Sequence, residues 1–215
     1  MDTTAGNPIE MPGGELEFDD HAAYQYLDEL IAQSSTGVQA ALATKLAALG
    51  RGAISEVFSN AQSVANAAAM IAKILWPRVQ KTSGETDEEW VRRKALAGMR
   101  GPALRKMLDL AGSSPLQNKD VRNAIEHFDE RLDRRLASRD RNIVMFTMGP
   151  PNAVVFEGAD KPLYLHHYDP ATSIYTVLES QLNISEVESE MIKVLNGALK
   201  AKAEIEMRRL RPRKV

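Results

Sequence analysis

The stretch Asp120-Val-Arg-Asn-Ala-Ile-Glu-His-Phe-Asp-Glu-Arg-Leu-Asp133 sets the period by which the rest of the chain is read. At 3.6 residues per turn, Val121, Ile125, Phe128, Leu132 and Leu136 fall on one apolar stripe. That pattern predicts a helix over about residues 119–138 with the stripe, Phe128 included, turned to a core. Asn123, His127, Glu130 and Arg134 follow at spacings of four, three and four and form a second, polar stripe. Arg122 lies to one side of the apolar stripe. A histidine so placed is either solvated or aimed at a partner surface.

The same reading extends outward in both directions. Residues 1–17 hold Gly6, Pro8, Pro12, Gly13 and Gly14 with few apolar side chains, so a flexible arm is expected there. Asp19 or Asp20 suits the N-cap of a first helix, which Ser34-Ser-Thr-Gly37 should end. A second helix is expected over about 38–49, closing at Gly50 or Gly52. A third, Ala-rich one runs over about 53–76, where Pro77 stops it. Thr86 with Glu89 matches a capping box for a helix that ends by Gly101, and Pro102 opens another short helix through Leu110.

C-terminal to the polar stripe the pattern changes. Residues 142–148, 153–156, 163–168 and 173–178 are rich in β-formers and are separated by turns such as Gly149-Pro-Pro-Asn152 and Asp169-Pro-Ala171. A last helix follows, opened by a Ser185/Glu188 capping box. Along it Ile184, Val187, Met191, Val194, Ala198, Ala201 and Ile205 make a seam for another helix, in this chain or in a partner. The expected fold class is therefore mainly α, a bundle of about six to seven helices. A small antiparallel β-meander, at about residues 142–178, is inserted before the C-terminal helix. Residues 18–215 are expected to form a single domain. The rival arrangement is a bundle ending near Arg139 followed by a separate α+β module.

Composition narrows the classes of function. The chain has 215 residues and no cysteine, which excludes a disulfide framework and a thiolate nucleophile or metal site. No apolar run reaches the roughly 18 residues that a membrane span needs, and no secretory signal precedes the first helix, so the cytoplasm is the expected location. The net charge of −2 is unevenly spread. Residues 1–77 carry 3 basic and 9 acidic side chains, and residues 78–142 carry 15 and 11. The positive excess sits in the segment with the polar stripe. It permits nucleic-acid binding and equally describes a solvated helix face.

Arg122-Asn-Ala-Ile-Glu-His127 resembles the R-x4–6-H signature of the HEPN (higher eukaryotes and prokaryotes nucleotide-binding) superfamily, in which a polar residue such as Asn123 often follows the Arg. The resemblance covers about a dozen residues and an all-helical setting. It implies a helical bundle that dimerises. In such a dimer the Arg and His of two subunits meet and cleave RNA without a metal, as in toxin and defence systems, although other members only bind. On this reading Arg122, His127 and Asn123 are the candidate catalytic residues. Glu130 and Arg134 are candidate binding residues, the partners are RNA and a second copy of the chain, and no cofactor is implied.

The chemistry needs a group that titrates near the working pH and a cation on the phosphate, roles that histidine and arginine fill. Residues five apart on a straight helix project roughly 140° apart, so one copy does not aim both at one phosphate. The bland alternatives are a non-catalytic binding face, or a solvated one laced by i,i+4 pairs such as Glu126 with Arg122 and Glu130 with Arg134. His166 and His167, adjacent on a strand, point to opposite faces and so do not chelate one metal together. One of them is able to join Asp169 or a distant carboxylate, but both are expected as half-exposed strand histidines. No P-loop or dinucleotide-binding glycine pattern is present.

Overall fold

The computed structural model describes residues 16–138, 142–156 and 162–210. The expected arm, apart from Leu16 and Glu17, lies outside the described residues, as does the last part of the basic C-terminal tail. The chain is mainly helical, with a small sheet before the last helix. The helices are α1 (Asp20–Leu46), α2 (Ile54–Leu75), α3 (Asp87–Met107), α4 (Asp120–Glu126), α5 (Phe128–Ala137) and α6 (Ile184–Leu210). The strands are β1 (Ile143–Met148), β2 (Leu163–Asp169), β3 (Ile174–Val177) and β4 (Ser180–Asn183). The chain divides into two compact units, neither a consecutive stretch. The first holds the residues up to 34, 70–114 and those from 192 on, and the second holds 35–69 and 115–191.

In the first unit, Asp19 caps α1 as expected, its Oδ1 accepting from the Ala22 amide at 2.8 Å. The Thr86 capping box is complete, with Glu89 returning the bond to the Thr86 amide. The helix it opens does not stop at Gly101. It runs on through Pro102 to Met107. A side chain at Gly101 would collide with Pro77 and the Leu75 carbonyl, so glycine is needed there for close approach. Arg100 and Arg105 donate to carbonyls at the end of α2, Arg105 to that of Leu75, which satisfies acceptors that Pro77 leaves without helical donors.

In the second unit, α1 continues through Ser35-Thr36-Gly37 where a break was expected, so the first two expected helices are one. Gly37 abuts Met191 and Ala67, and this packing outweighs the weak helix preference of the segment. The helix closes instead at a wide turn over Ala47–Arg51, where Gly50 takes a φ of 77° that few other residues accept. The expected helix over 119–138 is broken. His127 leaves helical angles (φ −112°, ψ 34°), and α4 and α5 meet there. The apolar stripe is accordingly split. Val121 is buried, Phe128 and Leu132 are half-buried and Leu136 is exposed, so the stripe does not face a continuous core.

The sheet has the order β1-β2-β3-β4. β2, β3 and β4 form an antiparallel meander, and β1 joins β2 in parallel. The parallel pair arises because residues 153–156, expected to answer β1, form no strand. Pro150 and Pro151 remove two donors at the turn. The chain then returns to the start of β1, where the Leu163 amide donates to the Asn142 carbonyl at 2.8 Å. β4 lies where no strand was expected. It ends in Asn183, whose Oδ1 accepts from the Glu186 amide at 3.1 Å, so α6 opens two residues earlier than the Ser185 reading has it. The α6 seam is buried along its whole length, from Ile184 to Ile205.

Candidate functional site

Every candidate residue lies on α4, α5 or the break between them, in the second unit. His127, at the break, is more than half exposed, and its Nδ1 lies 3.6 Å from Glu130 Oε2.

Arg122 is ion-paired to Glu126 one turn on, the pair expected of a solvated face. The expected pair between Glu130 and Arg134 is absent among the described residues.

The structure gathers three of the five candidates and separates the other two. His127, Glu130 and Arg134 line one cleft of about 540 Å³ together with Arg131, Arg135 and Glu179. Arg122 and Asn123 are not part of its lining. Within one chain, then, the Arg and His of the motif do not converge on a common point.

Arg131 and Arg135 were missed in the sequence although their signal was present. Counted from His127 they fall at four and eight residues, one face of a helix. Arg131 donates to the Ser180 hydroxyl at 3.3 Å, and Arg135 is ion-paired to Glu179. Arg134 has no ion-pair partner among the described residues.

His166 and His167 are not half-exposed. Both are buried, on opposite faces of β2. β2 is flanked by β1 and β3, and every residue of it but Leu165 is buried. The His166 ring stacks on Phe146 at 5.1 Å and on Phe128 at 5.7 Å, and its Nδ1 lies 2.9 Å from the Tyr175 hydroxyl. Burial lowers the pKa of His166 and raises that of Tyr175, so both are held neutral. His167 Nε2 meets the Gly149 carbonyl at 2.8 Å, and its ring lies 4.5 Å from that of Tyr164. Neither histidine joins Asp169, whose carboxylate accepts from the Ala171 amide and the Thr172 hydroxyl.

A second, larger cleft of about 1280 Å³ lies over the β2–β3–β4 sheet. Val154, Phe156, Leu163 and Leu178 are among its apolar lining, and Thr176, Gln181, His167 and Asp169 among its polar lining. Arg135 and Glu179 line both clefts. Among the described residues no helix is long and apolar enough to cross a membrane, and no group of three or more His, Asp or Glu side chains is placed to hold a metal ion. No protein-family model, no curated protein and no solved structure matches the chain.

Proposed function

We propose that the chain is an RNA-binding protein, similar to HEPN proteins, that grips the phosphate backbone with the arginine face of α5. The observation that supports this reading is the set Arg131, Arg134 and Arg135, which line one cleft with the exposed His127. A planar guanidinium meets phosphate with two parallel donors, and phosphate contacts supply most of the sequence-independent affinity for RNA. Arg134, without an ion pair among the described residues, has its donors available for this. Glu130 and Glu179 reduce the local charge, so the attraction is moderate and should be strongly salt-dependent. The test is fluorescence anisotropy of a labelled single-stranded RNA with the full chain. Arg134→Ala and Arg131→Ala should each weaken binding several-fold. Unchanged affinity in both variants would remove the α5 face from the account.

A second reading, cleavage of the bound RNA without a metal, draws on the exposure of His127 beside Glu130. A carboxylate at that position can orient the ring for proton transfer. Because Arg122 is engaged by Glu126 and lies outside the cleft lining, this reading requires Arg122 from a second copy of the chain. RNA should then be cut in the presence of EDTA, and His127→Ala should abolish cutting while leaving the circular dichroism spectrum unchanged. Wild-type protein that binds RNA and leaves it intact would end this reading and leave the first.

A further inference from the structure

We infer that the cleft over the sheet takes an unpaired base of the same RNA strand whose phosphates lie along α5, so that the ligand class is single-stranded rather than duplex RNA. This rests on the RNA reading above. Three observations carry it beyond that reading. The first is adjacency, since the Arg135–Glu179 ion pair lines both clefts, so a strand along the arginine cleft runs beside the other. The second is the polar lining. Thr176 and Gln181 are register partners across β3 and β4, both line the cleft, and neither side chain hydrogen-bonds another described residue. A carboxamide offers a donor and an acceptor in one plane, the complement of a base edge. The third is the apolar lining, where half-buried Phe156 offers an aromatic group of the kind on which bases stack, and Tyr164, packed on His167, forms part of the wall. In a duplex the base faces are stacked and the pairing edges occupied, so only an unpaired base can use such a cleft.

The experiment compares three labelled probes on the full chain: a mixed-sequence single-stranded RNA, the same strand with abasic sites, and the same sequence as a duplex. The intact single strand should bind about tenfold more tightly than the abasic strand or the duplex, the size that stacking and edge contacts give. Gln181→Ala, at an exposed position, and the near-isosteric Thr176→Val should each reduce that preference while leaving abasic-strand affinity unchanged, with thermal melts showing that both variants are folded. Equal affinity for all three probes, or a preference that survives both substitutions, would overturn the base cleft while leaving the RNA reading intact. Failure of every RNA probe to bind would remove both.

Discussion

His166 is a neutral base closed inside an aromatic cage, and its chemistry sets a pH dependence for the whole fold. Burial lowers its pKa, so below the ordinary value of about 6.5 the unfolded chain binds a proton that the folded chain does not. Stability is therefore full above that value and falls as the pH falls through it. The melting temperature should be lower near pH 5.5 than at about pH 7.5, and His166→Gln should flatten this slope. A slope that persists in the variant would assign the effect elsewhere. Phe128, half-buried against that ring, should cost about 2 kcal/mol as Phe128→Ala, less than the roughly 3–5 of a fully enclosed phenylalanine. His127→Ala, on the exposed elbow, should change stability by no more than about 0.5 kcal/mol, measured by denaturant unfolding.

Two of the three expected caps were legible in the sequence because they are local, whereas the Ser185 box gave way to Asn183. Thr86 with Glu89 forms the expected box, and Asp19 opens α1. Thr86→Ala should therefore cost about 1 kcal/mol of stability. Pro77 and Gly50 ended helices as expected, but the breakers at 34–37 and 101–102 failed, because their effect depends on what lies opposite them. Ser34-Ser-Thr-Gly37 reads as a helix end, yet Gly37 is the residue that lets Met191 and Ala67 come close, and α1 runs through. Gly37→Val should destabilise the protein by about 1–3 kcal/mol through overpacking, read by a denaturant melt. A neutral or stabilising result would mean that the contact relaxes freely. The opposite error occurred at His127, where an uninterrupted helical period hides a break that no glycine or proline announces. The parallel pairing of β1 and β2 was also beyond local reading, since it depends on where the chain returns after Pro151.

For the whole molecule, mainly helical architecture with a small sheet before the last helix follows from the change to β-formers and turns near residue 142. The division into two units does not, because each is assembled from separated stretches. Of the polar stripe, His127, Glu130 and Arg134 line one cleft and Asn123 does not, while Arg131 and Arg135, on the helical period from His127, line it beside Glu179. The α6 seam is buried within this chain and offers no argument for a second copy, so self-association has to be measured on its own terms. The central claim is that α5 binds RNA through its arginines. It is tested most directly by the salt dependence of single-stranded RNA affinity, for wild type and for Arg131→Ala with Arg134→Ala. Wild-type affinity should fall steeply with salt, with a log–log slope of about −0.7 for each phosphate neutralised. Each arginine removed should make that slope shallower by about 0.7. Binding that is insensitive to salt, or a slope that the double variant leaves unchanged, would contradict the account.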